Sequence, residues 1–234
     1  MLRSDKGKTG SACLNESGLT QETIDSFRPG YTGEGKRGLV DYLNGKGYLD
    51  DVIIEAGLAK KNDEDGIEDT FQNRVIIPVI DDENRVIGFS GRSVDDECMS
   101  KYLNTRKNVV FDSSSNVFGL DHAKNSSANY MILCEGYMDV MALHQAGYDM
   151  AVKPLGLEFT TEHANLIKKY KQDVIIAYDN DKYGRNAASV VKDILDKEGL
   201  RGIQIDLSPY SDPLEYITKA GKTAFEGLLK TVTS

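Results

Sequence analysis

Two carboxylates, Asp179 and Asp181, follow the apolar run "VIIA" at 174–177, and Glu135 follows the run "MILC" at 131–134. Asp139 lies four residues beyond Glu135, and "SPYSDPLE" brings Asp212 and Glu215 behind the run "GIQIDL". Buried strands that surface into acids place those acids where open α/β sheets bind ligands, beyond the carboxyl ends of the strands. Like charges that close raise one another's pKa, so such a cluster persists where a cation neutralises it. Oxygen-only ligands favour Mg²⁺ or Mn²⁺ over zinc, and Mg²⁺ held by a few carboxylates shares its remaining positions with water and substrate phosphates. The chemistry that suits this pattern is phosphoryl transfer on a nucleotide or nucleic acid.

Each acid also has a local alternative. Asp139 suits the first turn of a helix, Asp181 a helix start, and Asp212 before Pro213 an N-cap, which is the preferred reading for Asp212. Glu135 followed by Gly136, with Asp179 and Asp181 on another strand end, favours a joint metal site. Gly136 removes a Cβ and allows both a tight strand-to-helix turn and close approach of a ligand.

The elements that must position these residues are legible from about residue 128. The apolar segments "YMILC", "MAVKPL", "DVIIAY" and "GIQIDL" alternate with the helical patterns "MDVMALHQAG", "TEHANLIKKY" and "GRNAASVVKDILDKEG". That alternation predicts a mainly parallel sheet with helices on its faces over 128–207, followed by a small helical segment over 208–234. Upstream, 13–127 reads as an α+β subdomain. It holds a β-hairpin of "RVIIPVI" and "RVIGFSGRSV" about the polar turn "DDEN", within an antiparallel sheet. Three short helices precede it: one capped by Thr20, one in "KRGLVDYLNGKG", and one in "YLDDVIIEAGLAKK" that is expected to bury Val52, Ile53 and Ala56. "KNDEDGIED" reads as an exposed loop, and residues 1–12 as a disordered leader or tag.

Composition narrows the class. The 234 residues are 40% hydrophobic and 28% charged, enough for a packed core, and no apolar stretch has the length of a membrane span or signal peptide, so a cytoplasmic location is expected. Cys13, Cys98 and Cys134 are too few and too scattered for a disulfide framework or a Cys-x-x-Cys zinc site. His122, His144 and His163 are also dispersed and read as ordinary packing or surface residues. A formal net charge of −9 argues against non-specific duplex binding and leaves room for a local basic track.

"LCEGYMDV" with "AYDNDKYGRNAA" resembles the TOPRIM domain shared by bacterial primases, type IA and type II topoisomerases and some nucleases. "EGYMDVMAL", "AVKPLG", "YDNDKYGRNAA" and "SDPLEYITKAGKTAF", with "NRVIIPVIDDENRVIGFSGR", "SKYLNT" and "NVFGLDHAK" upstream, resemble the catalytic core of bacterial DnaG-type primases from about residue 13 to 230. The resemblance implies a DNA primase. Such an enzyme synthesises short RNA primers on a single-stranded DNA template from ribonucleoside triphosphates, by nucleotidyl transfer that depends on Mg²⁺ or Mn²⁺. By the same resemblance Glu135 is the acid/base residue, and Asp179, Asp181, Asp139 and Asp212 hold metal. Arg74, Arg92, Lys101, Tyr102 and Asn104 face the template or the incoming nucleotide, while solvated charge is the preferred reading of Arg106 and Lys107. The zinc-ribbon and helicase-binding domains of the family are not in this sequence, so template selection and recruitment by a replicative helicase are expected to involve other chains or other parts of a longer protein.

The chain departs from that pattern twice. The family's third acidic motif is commonly Asp-Pro-Asp, and here "DPL" puts Leu214 in the last position, so Glu215 or Asp206 must substitute if that ligand is kept. The family commonly has a lysine two residues after the Phe matching Phe111, and Ser113 stands there, so a phosphate contact is lost or moved. Segment 71–125 carries eight acidic against seven basic residues and is no basic stripe. These departures keep a second reading in view: a catalytically weakened primase-like module that binds single-stranded nucleic acid or a replication partner. A TOPRIM nuclease and a receiver-like phosphoacceptor fit the upstream hairpin less well.

Overall fold

The computed structural model describes residues 2, 7–63, 66–95 and 97–233. The chain forms two compact units, residues 1–79 with 86–112, and residues 80–85 with 113–234.

The first unit opens with α1 (Lys8–Glu16), α2 (Gln21–Phe27), β1 (Gly30–Tyr31), α3 (Gly38–Gly45) and α4 (Asp50–Glu55). It continues through β2 (Ala59–Lys61), β3 (Ile67–Asp69), β4 (Arg74–Ile80), β5 (Val86–Ser93) and β6 (Tyr102–Asn104). Thr20 caps α2 as its sequence demands, its hydroxyl accepting from the Thr23 amide at 3.3 Å. The stretch expected to be a leader is helical from Lys8 onward. Its polar composition conceals an inward contact, Gly10 lying so close to Tyr31 that a Cβ would be 2.8 Å from its side chain, and Leu14, just beyond the expected leader in the same helix, is fully buried. Residues 1 and 3–6 of that expectation lie outside the described residues.

The α4 expectation holds for Ile53 alone: Val52 is half-exposed and Ala56 exposed. The helix has six residues, and its inward stripe runs through Ile53, Ile54 and Leu58 to meet Val40, Ala59 and Ile67. "KNDEDGIED" is likewise more than a loop. β2 and β3 pair antiparallel through it, and Asp69 is buried because its carboxylate accepts the free amides of Leu39 and Val40 at 2.9 Å each at the start of α3. The expected hairpin forms the middle of a sheet ordered β1-β4-β5-β6. Its register sets Ser90 opposite Asn104 and Arg92 opposite Tyr102, which puts these four residues on one face and Gly91 and Leu103 on the other.

In the second unit a 3-10 turn at Ser113–Ser115 leads to β7 (Val117–Phe118), α5 (Leu120–Ala123), β8 (Tyr130–Leu133), α6 (Tyr137–Gln145), β9 (Ala151–Pro154) and α7 (Thr161–Lys168). β10 (Asp173–Ile176), α8 (Lys182–Lys197), β11 (Arg201–Gln204), α9 (Pro213–Ala220) and α10 (Lys222–Thr233) follow. The sheet order is β11-β10-β8-β9-β7, parallel except for β7, which matches the mainly parallel sheet expected. Met131, Leu133, Val174 and Ile176 point into one core with Ala164 and Ile167 of α7 and Ala188, Val191 and Leu195 of α8. α9 packs on α6 and on α10, where Tyr148, Tyr216 and Phe225 meet edge to face at 5.1 and 5.5 Å.

Residues 113–127 thus belong with this sheet, ahead of the boundary expected at 128, because a two-residue strand such as β7 leaves almost no periodic signal. The turn at 80–85 also belongs here: Tyr170 donates to Asp82 at 3.0 Å and the Lys124 ammonium to the Asp82 carbonyl at 2.6 Å.

Candidate active site

β8 and β10 are parallel neighbours in register, Leu133 opposite Ile176, so the residues that follow them emerge side by side. Glu135 accepts the Asp179 amide at 2.9 Å across that gap. Burial raises the Glu135 pKa, the Asp179 amide opposes, and the charge on Asp181 adds to the rise. The chain then turns into α6 at Gly136, where any Cβ would lie 2.3 Å from Asp139 Oδ2. Asp139 is only 6% exposed, and its Oδ1 accepts the Leu214 amide at 3.1 Å. Burial, then the field of Asp212, lifts the Asp139 pKa to about 7, and burial followed by Glu135, Asp212 and Asp181 lifts Asp179 to about 6. Glu135, Asp139, Asp179, Asp181 and Asp212 therefore share one electrostatic neighbourhood.

Two of the five are also helix caps. Asp181 accepts the Gly184 amide at 2.7 Å and opens α8; Asp212 accepts the Glu215 amide at 2.6 Å and opens α9. Asn180 ties the two loops together, its amide donating to the Ser211 carbonyl at 2.6 Å and its side chain to Ser208 at 2.9 Å. The expected substitutes for a carboxylate at 214 are occupied elsewhere. Glu215 pairs with Lys219 and accepts from the Ser211 amide at 2.7 Å, which hold its pKa down to about 2. Asp206 accepts from the Ser208 amide at 2.8 Å.

Among the described residues no three His, Cys, Asp or Glu side chains are gathered at metal-ligating distance. The chemistry of the acidic set nevertheless fits a hard divalent cation: every donor is a carboxylate oxygen, Asp139 is destabilised by burial and by the charges of Asp212 and Asp179, and Asp179 by burial and by the charges of Glu135, Asp212 and Asp181. The histidines are less dispersed than their spacing suggests, His122 and His144 lying edge to face at 5.3 Å. His163 completes a capping box with Thr160 at the start of α7.

The upstream residues divide between two faces of the first unit. Arg74, expected at the template, is buried, and its guanidinium donates to the carbonyls of Gly91 and Ser100 at 3.0 Å and of Lys101 at 3.4 Å. It fixes the chain leading into β6, and Gly91 is required for that: a Cβ there would lie 2.7 Å from Phe71 and 2.9 Å from Arg74, so the close approach is to side chains of the fold. Arg92, Tyr102 and Asn104 share the opposite face. Arg92 donates to Ser17 at 2.8 Å and, with Glu16 and the exposed Lys101, borders a pocket of about 270 Å³.

Two residues of the site escaped sequence reasoning. Gly184 stands in the first turn of α8, where a Cβ would lie 2.1 Å from the Asp179 carbonyl and 2.8 Å from Glu135 Oε1; the only signal was a glycine early in a helix. Lys153 lies in β9, part-buried, and desolvation lowers its pKa to about 8 against the favourable fields of Glu135 and Asp139. The signal was a lysine inside an apolar strand pattern.

The chain matches the family described as DNA primase catalytic core, N-terminal domain over residues 1–124, and the Toprim-like family over 132–217. A DNA primase of Clostridium acetobutylicum is 38% identical over 220 residues, which cover 94% of this chain and 37% of the relative; the chain spans little more than a third of that protein's length. Among solved structures, a DnaG primase catalytic domain bound to single-stranded DNA superposes with a TM-score of 0.90 at 31% identity, covering 98% of this chain and 73% of that one. The zinc-binding and RNA polymerase domains of Aquifex aeolicus primase give a TM-score of 0.90 at 31% identity over 98% of this chain and 56% of that one.

Proposed function

The chain belongs to the DNA primase catalytic core family, and from that membership we propose that it joins ribonucleotides into short primers on single-stranded DNA. The observation that carries this reading is the Glu135–Asp179 contact at the carboxyl ends of β8 and β10, beside Asp139, with burial raising Asp139 to about 7 and Asp179 to about 6. Glu135, part-buried and hydrogen-bonded, takes the proton of the attacking ribose hydroxyl. Asp179, Asp139 and Asp212, with the exposed Asp181, would hold Mg²⁺ or Mn²⁺. When bound, the cation neutralises charge on the reacting phosphates. Arg92, Lys101, Tyr102 and Asn104 lie on or beside one face of the β5–β6 pair and would meet the template through phosphate contacts and base stacking. Single-stranded DNA and ribonucleoside triphosphates are the substrates under this reading, with a zinc-ribbon domain and a replicative helicase as partners. Among the described residues no helix is long and apolar enough to cross a membrane.

One observation favours the second reading, a module that binds single-stranded nucleic acid or a replication partner with little turnover. Leu214 offers only its amide to Asp139, and Glu215 is committed to Ser211 and Lys219. Ribonucleotide incorporation on single-stranded DNA, in Mg²⁺ and in Mn²⁺, decides between them. Product that disappears in Asp179→Asn establishes the polymerising reading. Template binding without product in either metal, beside an active primase core, establishes the binding module.

A further inference from the structure

Lys153 sits in β9 opposite Phe118 of β7, its ammonium 5.1 Å from the centroid of the Tyr137 ring and donating to the Pro154 carbonyl at 2.8 Å. Among the described residues it forms no ion pair, whereas Lys60, Lys107, Lys192 and Lys219 each meet a carboxylate. Even a part-buried ammonium loses hydration, and a ring face with one carbonyl repays little of that cost. The fold keeps it all the same, at the edge of a cavity of about 520 Å³ that it lines with Glu135, Gly156, Leu157, Phe159 and Val190.

The position is specific. In the strand order β10-β8-β9, Glu135 follows the middle strand, Asp179 follows one neighbour and Lys153 lies in the other. The acidic residues therefore flank Glu135 on one side and a cation flanks it on the other. A phosphate brought to this rim meets repulsion from the carboxylates and one fixed positive charge. The loop beyond Lys153 is shaped by Gly156, whose φ is +86° and whose missing Cβ would lie 3.3 Å from Ser113 Oγ. Ser113 is held there by His163, whose Nε2 donates to the Ser113 carbonyl at 2.8 Å. The position at which the sequence departs by lacking a lysine thus backs onto the loop that follows Lys153.

We propose that Lys153 is a phosphate-binding residue of this site and that the cavity it faces receives a phosphate ester, the ammonium taking the phosphate and the walls at Leu157, Phe159 and Val190 taking the organic part. The inference rests on the proposed function for its biological meaning, and its test does not need turnover. The phosphate comes from a nucleotide or from a nucleic-acid strand, and the two are separated by titrating the intact chain with ATP and, separately, with a short single-stranded oligothymidylate, by calorimetry in EDTA and again in Mg²⁺. Loss of one charge-assisted contact weakens binding by about tenfold. Lys153→Met is expected to show that loss for one of the two ligands, in EDTA as well as in Mg²⁺, with Lys153→Arg retaining most of the affinity. Restoration by Ser113→Lys in the Lys153→Met background supports one shared phosphate position. Val190→Trp, which narrows the cavity from an exposed position on α8, provides the same loss by a route that leaves the buried strand intact if Lys153→Met melts. Affinities for both ligands within about twofold of wild type in a folded Lys153→Met, or in Val190→Trp where the former does not fold, overturn the proposal. A chain that binds as expected yet makes no primer retains this site and loses the polymerising reading.

Discussion

Asp139, in the first turn of α6, accepts the amide of Leu214, in the first turn of α9, at 3.1 Å. A helix start leaves amides unpaired, and this one is satisfied by a carboxylate from another helix instead of by its own cap. The bond draws the third acidic segment to the first, which is how Asp212 comes to lie in the field of Asp139 although the two are far apart in sequence. Leu214 removes a carboxylate from that segment and leaves its backbone anchored.

Burial, with the field of Asp212, makes Asp139 a stability liability when no metal is bound, and the Leu214 amide offsets only part of it. Its folded pKa is raised from 3.8 to about 7, so the stability it contributes is fully present below the unfolded value and is lost as pH rises through the folded one. Asp139→Asn keeps an oxygen for the Leu214 amide and removes the charge. Metal-free Asp139→Asn is expected to exceed wild type in unfolding free energy by roughly 2–4 kcal/mol near pH 8 and to match it near pH 4. Added Mn²⁺ should stabilise wild type and not the variant. Urea unfolding across that pH range checks both, and a variant less stable than wild type at the upper end contradicts the account.

Gly184→Ala tests the packing behind the Glu135–Asp179 contact. In an isolated helix the change is favourable by about 1 kcal/mol. Here the new methyl lands 2.1 Å from the Asp179 carbonyl and 2.8 Å from Glu135 Oε1, so overpacking decides the sign. A net loss of about 1–3 kcal/mol is expected, with ribonucleotide incorporation falling far more than the folded fraction. Unchanged incorporation in a folded variant would mean that the Glu135–Asp179 arrangement is dispensable.

Much of this was legible beforehand, for identifiable reasons. The strand-end position of the acids was readable because four apolar runs alternate with helical patterns, which fixes the sheet and the edge at which Glu135 and Asp179 emerge. Asp212 and Asp181 were readable as caps because each is followed by residues that open a helix. Asp69 was not, since its partners, Leu39 and Val40, lie about thirty residues earlier and only the closed fold brings them together. Arg74 failed for a related reason: strand alternation says which face a residue takes, not that Gly91 on the neighbouring strand leaves room for a guanidinium to bury. Lys153 broke the expected pattern, and a part-buried lysine inside an apolar strand is where strand alternation has least to say.

Arg74 and the residues of the opposite face separate by opposite behaviour. Arg74→Met strips donors from the Gly91, Ser100 and Lys101 carbonyls inside the first unit and should cost about 2–4 kcal/mol. Arg92→Ala and Lys101→Ala should each change stability by no more than about 1 kcal/mol. They are expected to weaken single-stranded DNA binding and to lower the salt slope by about one unit per contact removed. Fluorescence anisotropy at several salt concentrations reads the slope. An unchanged slope in both variants places the template elsewhere.

Leu214→Asp adds a carboxylate two residues after Asp212, at the position where the sequence departs from the motif it resembles. The residue sits in the first turn of α9, half-buried, two residues after Asp212 and with its backbone amide on Asp139, so a carboxylate there is added from a backbone already joined to the acidic set. Two effects oppose each other without metal. An acid near a helix N-terminus is favourable by about 0.3–1 kcal/mol, whereas a further negative charge beside Asp139, whose pKa is already raised by Asp212, is unfavourable and the larger of the two. The metal-free variant should therefore be less stable than wild type above neutral pH, and the deficit should vanish as the site is protonated. With a divalent cation the sign reverses, because the new oxygen is a ligand and the repulsion it caused is what the cation neutralises. The Mn²⁺ concentration needed for half-maximal thermal stabilisation should fall roughly tenfold, and the metal requirement of ribonucleotide incorporation should fall with it. A variant destabilised at every metal concentration would mean that position 214 does not face the cation, and that a carboxylate at this point of the helix adds repulsion without adding a ligand.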